Sequence, residues 1–364
     1  MEDILYKIAI TQIPKVGAVT AKNLVSYCGG VAAVFQTSRR ELMRVPGVGE
    51  RIADNILRGD YLERAEQELN FIEKNDIQPI FYLDAAYPER LRHYNDSPIM
   101  LYCRGDLDLN AKRTVGIVGT RMPSPQGVAI CEELVEGLKP YGATIISGLA
   151  YGIDIAAHRK SVEQGIPTIG ILGHGLQTIY PPSHRSIAER MMVNGGVITE
   201  FPSDTKPDRE NFPMRNRIIA GLCDAIIVVE TAKKGGSMIT AHMANEYNKD
   251  VFAVPGRLKD KNSLGCNHLI KTHKALLLES AADIAYILRW EELDQQKEIQ
   301  QQLFVELSDA EKIIVNLLNQ SEEASIDKLL VETKIVGSEL ASLLLNLEFK
   351  GVVKSLPGKR YTLI

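Results

Sequence analysis

The sequence predicts an α/β protein, a parallel sheet covered by helices, carried between two smaller, mainly helical pieces. Three observations lead there. VGIVG, ATIISG, TIGILG, VITE, AIIVVE, VFAVPG and ALLLE are short β-rich runs between Val115 and Glu279, separated by stretches of helical length. Such alternation argues for a parallel sheet with helices on both faces. Before it, Ile-Pro-Lys-Val-Gly (Ile13 to Gly17) recurs as Val-Pro-Gly-Val-Gly (Val45 to Gly49), an offset of 32 residues. After Ile284 the chain turns polar and Gln-rich in RWEELDQQKEIQQQ, then becomes helical again.

The repeat continues past its glycines. Ala21 matches Ala53, Asn23 matches Asn55 and Leu24 matches Ile56. Each copy reads as helix, tight Pro-x-Val-Gly turn, helix, which resembles a tandem helix-hairpin-helix, or SAM-like, module. In that family the glycine turn lets backbone N–H groups approach a phosphate, since Gly tolerates positive φ. The alternative is a small helical bundle whose turns merely need Gly; Lys15 stands where the second copy has Gly47. Next come a helix, YLERAEQELNFIEKN, and an irregular stretch rich in Tyr, Pro and turn residues up to about residue 110. The last segment reads as three short helices, beginning LSDAEKIIVNLL, SIDKLLVE and GSELASLLLNLEFKG, and a hairpin in VVKSLPGKRYTL. Ser308 and Glu311 form a capping box at its start. Three helices and a hairpin is the winged-helix arrangement. Its third helix has few basic residues to meet phosphates, so a duplex-reading role competes with a protein contact.

Composition narrows the function classes. A chain of 364 residues suits two or three domains. Its 45% hydrophobic and 24% charged content is that of an ordinary globular protein. No apolar run approaches the roughly 18 to 20 residues a membrane helix needs. The start, MEDILYKIAITQIPK, lacks a basic n-region, so a cytoplasmic location without a membrane role is expected. Cys28, Cys103, Cys131, Cys223 and Cys266 lack CxxC spacing and read as reduced thiols. With a net charge of −4, any phosphate binding must be local.

Glycines mark the ends of several central strands. VGIVGTRMPSPQG places Gly119, Thr120 and Arg121 where a strand gives way to a loop, and SGLAYGIDIAAH does the same with Ser147 and Gly148. KKGGSMITAHMANE sets Gly235, Gly236 and Ser237 before a helix. Backbone N–H groups at helix starts hold anions, and Gly removes the Cβ that would block approach. Three such loops on one sheet edge predict a phosphate-binding rim. Neither GxGxxG nor GxxxxGK[ST] occurs. NFPMRNRIIAGLCDAIIVVE sets Phe212, Arg215, Asn216 and Arg217 against an apolar strand. Arg215 and Arg217 are not both expected to face the core; for Asn216 and Arg217, capping carbonyls competes with facing the rim. Asp154 and His158, four apart, could pair on a metal; with no further ligands at useful spacing, a helix-face hydrogen bond is the expectation, and no metal is expected.

VGIVGTR, SGLAYGIDIAAH, GHGLQTIYP, TEFP, NFPMRNRIIAGL, GGSMITA and VFAVPG follow one another in the order and spacing of the DprA (Smf) family of bacterial DNA-processing proteins. The resemblance is dense from about residue 77 to 290 and covers the flanking segments by arrangement. It implies an extended Rossmann-like domain that binds single-stranded DNA, protects incoming DNA and loads the RecA recombinase during natural transformation. It also implies a homodimer, formed through the late central domain, contact with single-strand binding protein, and no cofactor. The family pattern puts phosphate contacts on Arg121 and Arg209 and base stacking on Phe212, while Tyr151 stands where relatives often carry a basic residue.

The implied organisation is a SAM-like domain at 1–65, an extended Rossmann-like DNA-binding domain at 66–290, a linker at 291–305 and a winged-helix-like domain at 306–364. The rival is a nucleotide phosphoribohydrolase of the LOG group, whose PGGxGTxxE motif carries a functional Glu. Here His242 takes the Glu place and Met238 the second Gly, so a group needed for glycosidic chemistry is missing and no catalytic residue is expected.

Overall fold

The computed structural model describes residues 2–59, 61–293, 307–319, 323–333, 335–350, 352–356 and 358–363. They fall into two units, Met1–Leu293 and Asp294–Ile364. Most of the predicted linker at 291–305 lies outside the described residues.

The first unit begins with the repeat. Helices α1 (Glu2–Thr11) and α2 (Ala18–Cys28) flank the first turn; α3 (Val31–Gln36), α4 (Arg39–Leu42) and α5 (Glu50–Leu57) complete the second copy. The matched asparagines lock the copies together reciprocally. Asn23 Nδ2 donates to Pro46 O at 3.3 Å, and Asn55 Nδ2 donates to Pro14 O at 3.2 Å. The positive φ in each turn falls on Lys15 (68°) and Gly47 (85°), while Gly17 and Gly49 are extended helix N-caps with negative φ. Helix α6 (Tyr61–Lys74) then packs on α1. Ile8, Leu24, Ile56 and Ile72 share one apolar cluster with Phe81, Tyr102, Leu172 and Val197, so the helices and one end of the sheet have a common core.

The sheet contains β1 (Gln78–Phe81), β2 (Met100–Asp106), β3 (Thr114–Val118), β4 (Thr144–Ser147), β5 (Thr168–Ile171), β6 (Gly195–Thr199), β7 (Ala225–Val228), β8 (Asp250–Ala253) and β9 (Leu276–Leu277). Their order is β1-β2-β6-β5-β4-β3-β7-β8-β9. All pairings from β6 through β9 are parallel, and β1 and β2 extend that sheet antiparallel. The seven predicted strands are all present. The two added ones fall in the stretch expected to be irregular. Pro79 is tolerated because β1 is an edge strand, and Met100 to Cys103 of β2 are buried without alternation. Helices α7 (Glu89–Arg92), α8 (Pro125–Leu138), α9 (Ile153–Gln164), α10 (Arg185–Met191), α11 (Asn211–Leu222), α12 (Gly236–Glu246), α13 (Leu264–Lys271) and α14 (Ala281–Leu288) connect and cover the strands.

Strand order reverses at β3, which lies between β4 and β7. In a doubly wound sheet such a switch point leaves a crevice beyond the strand C-termini, because consecutive connections run to opposite sides. Among the described residues no helix is long and apolar enough to cross a membrane.

The second unit contains α15 (Asp309–Asn319), β10 (Ala324–Ser325), α16 (Ile326–Thr333), α17 (Gly337–Phe349), β11 (Val353–Leu356) and β12 (Arg360–Leu363) around Ile314, Leu329, Leu340, Leu344 and Leu347. The strands form a three-stranded antiparallel sheet, with β12 between β10 and β11. Both capping-box bonds form: Ser308 N–H donates to Glu311 Oε2 at 2.7 Å, and Glu311 N–H to Ser308 Oγ at 3.3 Å.

The two repeat turns give opposite expectations for one kind of change. A left-handed conformation costs an L-residue roughly 1–2 kcal/mol. Lys15→Gly should therefore raise stability, by up to about 1 kcal/mol once glycine's unfolded-state entropy is subtracted. Gly47→Ala should lower it by about 1 kcal/mol, since only the φ strain opposes the new methyl; Thr20 Oγ1 would lie 3.6 Å from it. Urea melts of both variants check the pair of signs.

Candidate nucleic-acid interface

The crevice at the switch point is a half-open cleft of about 1360 Å³. The ends of β3, β4 and β7 supply Val118 to Arg121, Ala150 with Asp154, and Thr231 to Thr240; Lys206 and Arg209 come from the connection after β6, and Phe212 from the first turn of α11. Six lining residues are basic (Arg121, Lys206, Arg209, Arg215, Lys233 and Lys234), against a single acidic one, Asp154. All of these except Arg215 and Asp154 are exposed.

At the cleft mouth the Arg121 guanidinium lies 5.5 Å from the Phe212 ring centroid. The Tyr180 ring is 6.3 Å from the Phe212 ring, tilted by 33°. The Phe212 edge rests on Gly173, where an added Cβ would come within 2.9 Å of Cδ1. An aromatic held from behind with a cation over it presents a platform on which a planar ligand can stack.

The floor corrects part of the sequence reading. Arg215 is buried, and its Nη1 donates to Ile171 O at 2.6 Å while Nε has no partner. Burial brings the guanidinium down to about 10, with Asp154 opposing the shift, so it stays charged at neutral pH. Burial pushes the Asp154 carboxyl up, with Arg215 opposing. Arg217 is half-buried, paired with Glu200 at 2.5 Å and outside the cleft lining. The expectation that one of the two arginines reaches the rim is therefore wrong: each meets an acceptor that the sheet supplies from elsewhere in the chain. Asn216 remains half-buried in the lining.

Ser147 is likewise inside, its Oγ donating to Ile117 O at 2.6 Å, so it is no rim contact. Gly148 makes room for Arg215 and Asp154, both of which a Cβ there would strike. Gly119 is required by packing, since a Cβ would collide with Ile153. Asp154 and His158 make no helix-face hydrogen bond. Asp154 accepts from Ala150 N–H at 3.4 Å, and His158 Nδ1 pairs with Thr168 Oγ1 at 2.7 Å. Burial brings the His158 imidazole down to about 3. Among the described residues no group of three or more His, Cys, Asp or Glu side chains is placed to hold a metal.

Of the three expected anion-holding loops, two are already filled. The start of α8 is taken by Glu230, which accepts from Ser124 N–H at 2.9 Å and from Ser124 Oγ at 2.5 Å. Thr120 N–H is spent on Glu230 O at 2.7 Å. At the start of α9, Ile153 N–H donates to Thr120 O, and Asp154 folds back on its own loop. The third is open. Helix α12 starts at Gly236 without a side-chain cap, a Cβ on Gly236 would meet nothing within 4 Å, and Ser237 Oγ is buried with no partner. Unfilled helix N-termini attract anions through their free N–H groups and dipole. Gly235 is needed for another reason, since a Cβ there would strike Thr231 Oγ1.

Sequence reasoning did not single out Tyr180, Lys206, Lys233 and Lys234. Tyr180 lay within the quoted GHGLQTIYP turn, and Lys233 and Lys234 within the quoted KKGGSMITAHMANE stretch. Met238 is buried and His242 half-exposed, so the place where a phosphoribohydrolase carries its glutamate holds no carboxylate.

Residues 78–289 match the family described as DNA recombination-mediator protein A, residues 8–59 a SAM-like tandem helix-hairpin-helix, and residues 301–359 the DprA winged helix domain. Protein Smf of Synechocystis is 31% identical over 98% of both chains. DNA processing protein DprA of Bacillus subtilis is 39% identical over 69% of this chain and 82% of its own. Among solved structures, DNA processing protein A of Streptococcus pneumoniae superposes with a TM-score of 0.65 at 31% identity, covering 79% of this chain and 97% of that one. DNA processing protein A of Helicobacter pylori, described by its single-stranded DNA binding mode, gives 0.54 at 30% identity over 60% and 99%.

Proposed function

The chain belongs to the DprA (Smf) family of DNA-processing proteins, and from that premise we propose that it binds single-stranded DNA in the cleft at the β3 switch point. The observation that carries the reading is the mouth of the cleft, where Arg121 and Tyr180 flank the Phe212 ring amid unpaired cations. Single strands are held by basic groups along phosphates and by aromatics stacking on bases. Arg121, Arg209, Lys206, Lys233 and Lys234 take phosphates. Phe212 stacks on a base, and the open start of α12, with Gly236 and Ser237, receives one phosphate from the backbone side. The site works by binding. A group for glycosidic chemistry is lacking where the rival enzyme class keeps it.

The wider role follows from the family. The protein protects incoming DNA in the cytoplasm during natural transformation and loads RecA on strands that single-strand binding protein has coated. A second copy of the chain docks on the far edge of the sheet, where β9 exposes Leu276 and Leu277 and α14 exposes Tyr286 and Ile287. In the winged-helix unit α17 carries Glu339 and Glu348 and no basic residue between its ends, which disfavours duplex reading by that helix.

Four variants test the cleft. Arg121→Ala and Arg209→Ala should each weaken binding to any sequence and make the salt dependence shallower by about 0.7, one phosphate contact apiece. Phe212→Ala should cost about 1–3 kcal/mol of binding with the salt slope unchanged, since stacking releases no counterions. Gly236→Ala should melt like wild type, because its methyl enters open space, yet bind poorly, because that space is the phosphate's. Titrations across salt, run beside thermal melts, separate these outcomes; a Phe212→Ala protein that unfolds, or binds like wild type, makes the ring core packing.

The loading role predicts faster RecA filament nucleation on coated strands when the protein is added. Unchanged nucleation with DNA binding intact would remove that role and leave the cleft reading in place.

A further inference from the structure

The cleft does not account for all the unpaired positive charge on this side of the sheet. The loop between β8 and α13 exposes Arg257, Leu258, Lys259 and Lys261 in sequence, and among the described residues none of its three cations makes an ion pair. Asp260, the acid among them, is used in the loop's own turn, where it accepts from Asn262 N–H at 3.1 Å. In a chain of net charge −4, three neighbouring cations without partners need a ligand or a reason to be solvated.

The loop is held in place, and it is held against the cleft. Gly256 exchanges two bonds with the Asn267 side chain, at 3.1 and 2.8 Å. Asn262 Nδ2 donates to Met122 O at 3.1 Å, tying the loop to the residue after Arg121. Thr231, in the cleft lining, donates its N–H to Asn262 O at 2.7 Å. The loop that carries these cations therefore adjoins the cleft's rim at Met122 and Thr231.

Two apolar side chains accompany them. Met122 is 82% exposed and Leu258 84%, on the two loops that Asn262 joins. Apolar groups amid cations suit a ligand that offers both phosphates and uncovered base faces. A duplex offers only the former along its backbone, whereas a single strand offers both.

We propose that the 255–262 loop is a second landing segment for the single strand, which runs from the Phe212 cleft across Met122 onto Arg257, Lys259 and Lys261. The proposal rests on the cleft reading above. On this segment the three cations hold phosphates, and Leu258 and Met122 meet the faces of the intervening bases. A strand that fills only the cleft never touches the loop.

The test compares the full chain with Arg257→Gln/Lys259→Gln/Lys261→Gln on thymidylate strands of about 4 and about 16 nucleotides, the range a single-strand module covers. On the longer strand the triple variant should lose about 2 from the slope of log affinity against log salt, three contacts at about 0.7 each. On the shorter strand it should match wild type. Met122→Ser/Leu258→Ser should weaken the longer strand several-fold with its slope intact. Should the triple variant fold poorly, Lys259→Gln alone should remove about 0.7. An unchanged slope on the longer strand overturns the proposal, as does a slope lost on a duplex of that length but not on the single strand. Failure of the cleft itself would show elsewhere, as an Arg121→Ala protein that binds the short strand like wild type.

Discussion

The site depends on where one buried guanidinium is held. Arg215 reaches from the first turns of α11 under the sheet edge to Ile171 O, beside the Asp154 carboxyl and over a Gly148 that has no Cβ to obstruct it. A charge in that position is costly unless its surroundings are polar and fixed. Here it joins β5, the loop after β4 and α11 at one point. Phe212 stands three residues earlier on the same helix, so the anchor that fixes Arg215 also sets the ring at the mouth of the cleft.

The same economy of acids shapes the anion sites. The Glu230 carboxylate and the Thr120 carbonyl occupy two of the three helix starts, which builds a rigid wall from the chain's own acceptors. With those two satisfied internally, the start of α12 and the unpaired side chains of Arg121, Lys206, Arg209, Lys233 and Lys234 are left to meet an external anion. A net acidic protein thus keeps a local positive field without being basic overall, which favours a phosphate ligand steered to one place.

How much of this was legible in the sequence follows from what is local and what is not. Six of the seven predicted strands showed as apolar runs because they are largely buried, whereas β9 showed as one although Leu276 and Leu277 are exposed; the N-terminal hairpins showed as a repeat whose matched asparagines bond across copies. The strands at Gln78 and Met100 were hidden by a proline and by an unalternating apolar run. The packing of Arg215 and Arg217 was not legible because their acceptors, Ile171 O and Glu200, stand 44 and 17 residues away on other elements, and periodicity on α11 cannot show an acceptor beneath it. The helix start at Ser124 looked free for the same reason: its occupant, Glu230, is 106 residues away. Gly119 and Gly148, expected to admit an anion, make room for the neighbouring side chains of Ile153, Arg215 and Asp154.

In the proposed function the cleft reads unpaired nucleotides, with cations on phosphates and Phe212 on a base. Titrating the full chain against single-stranded and duplex DNA of equal length, across a range of salt, tests it most directly. The account predicts tighter binding of the single strand, with a salt slope steeper than about −3 from the five open cations of the cleft. Equal affinity for the duplex, or a slope near zero, would contradict it.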